Sequence, residues 1–125
     1  MSQYFQKEFI EGCRKKLLET KAEILNRVMD SRKNLANSED GKAGDEGDQT
    51  VRALAESEML SQNERLRHQL LEIENALGRI QNGTYGVCEE TEEAIEVDRL
   101  QAIPWTRLSI EGAEIRESVQ KRYAR

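Results

Sequence analysis

Residues 66–80 read LRHQLLEIENALGRI, and within them Leu66, Leu70, Ile73, Leu77 and Ile80 recur at alternating intervals of four and three. That spacing is the seam of a coiled coil, because a 3.5-residue repeat keeps one apolar line facing a partner helix. The helical period begins near residue 50 and ends at Asn82-Gly83, where glycine suits the left-handed cap. Upstream, residues 4–35 carry a second stripe: Ile10, Cys13, Leu17, Ile24 and Val28, widened by Phe9, Leu18, Leu25 and Met29. Between the two stripes lies ANSEDGKAGDEGDQ, residues 36–49, with three Gly, five acidic residues and no large apolar side chain. Such a segment is an exposed connection, and Asp48 suits the N-terminal cap of the helix that follows. Two seams of about 30 residues predict an antiparallel hairpin with arms about 45 Å long and the acidic loop at the tip.

The last forty residues change character. Ile95-Glu96-Val97 alternates like a short strand and is followed by the only proline, Pro104, and the only tryptophan, Trp105. Helical character returns over 109–123 through Ile110, Ala113, Ile115 and Val119. A small core is expected from Tyr85, Val87, Ile95, Val97, Leu100, Ile103, Trp105, Leu108 and Ile115, with Trp105 as its anchor. The fold class is therefore mainly α. A coiled-coil hairpin over 1–82, with its acidic tip at 36–49, precedes a compact head and C-terminal helix over 83–125.

Composition excludes several functions. The chain has 125 residues, 37% of them hydrophobic and 34% charged, which suits two narrow seams and a small core better than a compact globule. A net charge of −5 argues against direct binding to DNA or bare RNA. No run approaches 18 apolar residues, so no membrane span is expected, and MSQYFQKEFIEG lacks a signal-peptide core. Cys13 and Cys88 make neither a disulfide framework nor a metal site by themselves. Cys13 falls on an apolar stripe and reads as core. His68, the one histidine, lies two residues past Leu66 and reads as solvated, leaving little for nucleophile–base catalysis. The expectation is a cytoplasmic, monomeric protein that is not an enzyme.

Gly83-Thr84-Tyr85-Gly86-Val87-Cys88 resembles the entry to the zinc-finger module of the DksA/TraR family, bacterial regulators that bind RNA polymerase. The likeness continues through Ile95, Arg99-Leu100, Ala102, Pro104 and Ala113-Glu114-Ile115-Arg116. The family's acidic tip motif, Asp-x-x-Asp-x-Ala, falls on Asp45 to Thr50, with Thr50 at the alanine position. The resemblance implies a regulator, linked to the stringent response, that enters the polymerase's secondary channel and presents Asp45, Asp48 and Thr50. Two alternatives stay open. The tip acids are simply a solvated turn in a coiled-coil adaptor or stress protein that no longer engages polymerase; or, less favoured, they hold a second Mg²⁺ for transcript cleavage. The basic end formed by Arg116, Lys121, Arg122 and Arg125 reads either as a solvated helix terminus or as a docking patch.

The chain departs from the family at the metal site. The four cysteine positions carry Cys88, Thr91, Ser109 and Gly112. One thiolate cannot form the tetrahedron of a structural zinc site, and recruiting Glu89, Glu92 or Glu93 would give a hard-oxygen site instead. No metal and no cofactor is expected, and packing of Val87, Leu100, Trp105, Leu108 and Ile110 must hold the head. Cys88 reads as a remnant, since Glu89, Glu90, Glu92 and Glu93 disfavour a thiolate. Three basic positions that help the family bind guanosine tetraphosphate correspond to Glu72, Ile103 and Ala113. With only Arg65 and Arg99 remaining nearby, dependence on that nucleotide is expected to be weak or absent.

Overall fold

A computed structural model describes residues 5–39 and 46–123. Four helices follow in order: α1 (Lys7–Glu39), α2 (Glu46–Asn82), α3 (Val97–Ala102) and α4 (Ile110–Tyr123). The fold is mainly α, as expected, with a long antiparallel helical hairpin followed by a small C-terminal module. Among the described residues there is no strand, only an isolated bridge between Val87 and Ala94. Both long helices run further into the acidic connection than their periodicity indicates, so Asp48 sits within the first turn of α2 rather than capping it. A carboxylate there still faces the positive end of the helix dipole.

The chain divides into two compact units. One joins the segment up to Glu19 with everything from Glu72 onward; the other is Thr20–Leu71. In the first unit, α1 contributes Cys13 and Leu17 and α2 contributes Ile73 and Ala76, each no more than 5% exposed. Tyr85, Cys88, Ile95 and Leu100 complete this core. Gly83, at φ 78°, stops α2: its N–H bonds the Ile80 carbonyl and the Thr84 N–H reaches back to Arg79 O. This is a Schellman ending, which favours a residue without a Cβ.

The strand reading of Ile95-Glu96-Val97 is wrong. The Ile95 N–H does bond Gly86 O at 2.8 Å, which turns Ile95 inward. Glu96 then sends its carboxylate to the Ile110 N–H (3.1 Å) while its carbonyl accepts from Leu100 N–H, so a helix starts where the strand was expected to continue. Val97, in the first turn of α3, is consequently 46% exposed, and Leu100 takes the buried position. Ile115 is also outside the core, on the open face of α4.

Trp105 is only half-buried, so it does not anchor the module. Tyr85 and Pro104 do. The Tyr85 hydroxyl donates to Pro104 O at 2.7 Å with both residues fully enclosed. Burial, and then a hydrogen bond with Cys13, push the phenol's pKa well above its usual value. Arginines hold the irregular segment that follows. Arg79 donates to Trp105 O and Thr106 O at 3.3 and 3.4 Å, and Arg99 to Leu108 O at 2.8 Å. At the other edge, the Lys16 amine bonds Gln101 O. The second unit is a helix pair in which Ile24 is buried and Val28, Met59, Leu66 and Leu70 are half-buried. No helix among the described residues is long and apolar enough to cross a membrane.

Tyr85→Phe removes one hydroxyl and leaves an enclosed carbonyl without its donor. The expected cost is about 1–3 kcal/mol in urea unfolding followed by the fluorescence of Trp105, with an unchanged m value. A loss under about 0.5 kcal/mol would mean that Pro104 O finds another donor.

Candidate functional site at Cys88 and the α1–α2 connection

The turn after Val87 is built around one sulfur. Cys88 N–H bonds Glu93 O at 2.8 Å and Glu92 N–H bonds Cys88 O at 2.9 Å, closing a loop in which Glu92 takes φ 61°. Within that loop the Thr91 N–H points at Cys88 Sγ, 3.5 Å away. A matching turn begins at Ser109. Its hydroxyl oxygen accepts the Gly112 N–H at 3.0 Å, capping α4, and its O–H donates to Cys88 Sγ at 3.4 Å. Ile110, in the same turn, gives its N–H to Glu96. Two of the orphan donors at the start of α4, the N–H groups of Ile110 and Gly112, are thereby taken up.

The four positions Cys88, Thr91, Ser109 and Gly112 thus meet in space, although they lie in two segments about twenty residues apart. Gly112 has a further reason to be glycine. A Cβ built there would overlap Cys88 Sγ and press on Glu90 Cβ and Ser109 Oγ, both at 3.3 Å. The sulfur fills the space that a side chain at 112 would need. This donor set (one thiol, two hydroxyls and a glycine) does not fit a structural zinc ion. Among the described residues, no three His, Cys, Asp or Glu side chains are grouped to hold a metal.

The electrostatics of Cys88 differ from the sequence expectation. Burial pushes its thiol pKa up, but hydrogen bonds from Ser109 and Thr91 outweigh that and bring it down to about 6. Two of the four acids expected to oppose a thiolate, Glu89 and Glu90, are paired with arginines. Glu90 pairs with Arg116 at 3.0 Å, and Glu89 lies 3.6 Å from Arg116 and 3.7 Å from Arg107. Sequence spacing could not show that pairing, because Arg107 and Arg116 approach from other elements. Cys88 is nonetheless fully buried, so the sulfur acts as a hydrogen-bond acceptor rather than an exposed nucleophile.

Other sequence-derived positions fall as follows. Cys13 is buried beside Tyr85, and His68 is exposed. Asp48 and Thr50 are exposed on the first turns of α2; Asp45 lies outside the described residues. Glu72 faces Arg107 at 3.3 Å, while Ile103 and Ala113 are half-buried. Arg99, read as a remaining phosphate partner, is committed to the Leu108 carbonyl. Lys121 and Arg122 occupy the last turn of α4, where cations are favoured.

Two outcomes follow from the packing at the sulfur. Gly112→Ala should destabilise the protein by about 1–3 kcal/mol, because the added methyl overlaps a buried atom; an unchanged urea midpoint would refute the contact. Between pH 9 and about 6 the unfolded thiol is protonated while the native one is ionised, so the unfolded state binds more protons. Stability should therefore fall as pH drops through that window. Ser109→Ala should flatten the slope, as well as costing about 1 kcal/mol for the lost cap. Equal slopes in both proteins would assign the dependence to another group.

Comparison with known proteins places these features in a family. Residues 83–118 match the family model for the prokaryotic dksA/traR C4-type zinc finger. The RNA polymerase-binding transcription factor DksA of Caulobacter vibrioides is 34% identical over 111 residues, covering 86% of this chain and 75% of the relative. General stress protein 16O of Bacillus subtilis is 38% identical over 55 residues, 43% of this chain and 34% of the relative. The solved structure of transcription factor DksA2 from Pseudomonas aeruginosa superposes with a TM-score of 0.82 at 31% identity, covering 96% of this chain and 91% of that one. The helical hairpin and the C-terminal module that follows it have the fold of the DksA/TraR family, to which this chain belongs.

Proposed function

We propose that this protein is a DksA-like transcription regulator that binds RNA polymerase through its secondary channel, presenting Asp45, Asp48 and Thr50, and that it does so without structural zinc. The observation that carries the reading is the alignment with an RNA polymerase-binding relative over 86% of this chain. The tip motif adds to it, because both family aspartates are present. A narrow pair of helices is suited to a channel, and carboxylates carried to its end can act on the Mg²⁺ region and its mobile elements. Regulation of this kind needs no catalytic residue and no DNA contact, in keeping with the charge of −5. The protein would work as a cytoplasmic monomer.

Zinc independence is supported by the donors around Cys88, where hydrogen bonds stand in the place of metal bonds. Guanosine tetraphosphate would have a weakened role. Glu72 is already matched by Arg107, and Arg99 is spent on a carbonyl, so neither adds a cation for a phosphate. A second reading, a stress protein that keeps the fold but has left polymerase, is favoured by the partial match to general stress protein 16O.

Pull-down with core polymerase, with and without a chelator, separates the possibilities. Binding in both conditions is expected; no binding by the wild type would sink the leading reading, and binding lost only with chelator would sink zinc independence. Asp45→Asn/Asp48→Asn should leave polymerase affinity within about threefold while reducing regulation in vitro at least about tenfold, a difference of about 1.4 kcal/mol or more. Full regulation by the double variant would make the acids a plain turn.

A further inference from the structure

We propose that residues 20–71 form a separately opening unit, a helix pair that loosens locally while the core around Tyr85 and Cys88 stays folded. The chain already divides at these boundaries. The reason lies in the seam. Continuing the four-three spacing from Leu66 towards the N-terminus of α2 reaches Asn63, Met59, Glu56 and Arg52, all half-buried. Only one of those four is apolar. On α1, Thr20, Lys21 and Ser31 are likewise half-buried around Ile24 and Val28.

The packing reflects those residue types. Among the described residues of this unit, Ile24 alone is fully buried. Leu25, Met29, Val51, Leu54, Leu60 and Leu71 lie off the seam, 42–67% exposed. Where Ser31 and Asn63 occupy seam positions, a groove of about 400 Å³ opens, walled by Arg27, Arg65 and Leu66. Side chains facing such a space have lost contacts on that side. A polar residue at a seam position specifies register at a cost in stability.

The other unit contrasts sharply. There the same two helices carry Cys13, Leu17, Ile73 and Ala76, almost wholly enclosed. Most helical stability comes from tertiary packing of an apolar face, so the parts of α1 and α2 within 20–71 depend on a seam that buries little. Local opening is drawn from such regions of few buried apolar contacts. Asp48 and Thr50 belong to this unit, so its functional meaning, which rests on the polymerase-binding reading, is that these docking residues are carried on the less stable part of the helices.

The free protein suffices for the test, so the result is independent of what it binds. Trp105 is the only tryptophan and belongs to the other unit. On heating, helical circular dichroism should fall before Trp105 fluorescence changes. Amide exchange in 20–33 and 47–66 should run at least about tenfold faster than in 73–100. Ser31→Leu/Asn63→Leu should delay the early helix loss without moving the Trp105 transition. Coincident transitions with uniform exchange, or an early phase unmoved by the double variant, would overturn the proposal.

Discussion

The C-terminal module depends on the environment of one sulfur. Cys88 Sγ accepts from the Thr91 amide and the Ser109 hydroxyl while lying over the bare α-carbon of Gly112. Each contact ties a different piece of chain to the same atom: the tight turn through Glu92, the start of α4, and the first turn of that helix. A four-cysteine finger joins two turns through an ion. Here a hydroxyl does the joining, because Ser109 can donate to sulfur and accept from a backbone amide at once. Weak bonds suffice because they are enclosed, and because the same turns are also held by backbone pairing between Cys88 and Glu93.

Charge is arranged to support that arrangement. The acids at 89 and 90 would burden a thiolate if they stood alone, but Arg107 and Arg116 draw them aside. These surface pairs add little stability individually. Their effect is positional, tying the 89–92 turn to Arg107 and to α4. Arg79 and Arg99 do the complementary work for the chain between Ile103 and Ser109, which has carbonyls to satisfy and no regular partner strand or helix.

Much of this was legible in the residues, for identifiable reasons. The four-three spacing from Leu66 to Ile80 specified α2, and Asn82-Gly83 marked its end, because both signals are local. The convergence of Cys88 with Ser109 and Gly112 was legible only through family resemblance, since no spacing rule links the two segments. Helix α3 was missed because Ile95 and Val97 alternate like a strand. What decides the segment is Glu96, whose carboxylate reaches a helix fourteen residues away. Val97 and Ile115 are apolar yet open to solvent, and Trp105 is less enclosed than Pro104, because a small module has room for few anchors and Tyr85 had taken the central place. The lowered pKa of Cys88 was hidden for a related reason: neighbours in sequence were acidic, while neighbours in space were hydrogen-bond donors.

The bare α-carbon at position 112 also gives the module a direction in sequence change. Restoring a four-cysteine site would require a side chain at 112, where the Cys88 sulfur now rests. Cysteine there alone would displace that sulfur while Thr91 and Ser109 still offered no further thiolate. Cysteine at 109 alone would exchange an oxygen cap for a poorer one. At 109 and 112 a single step back would therefore disturb the present packing before any ion could be held.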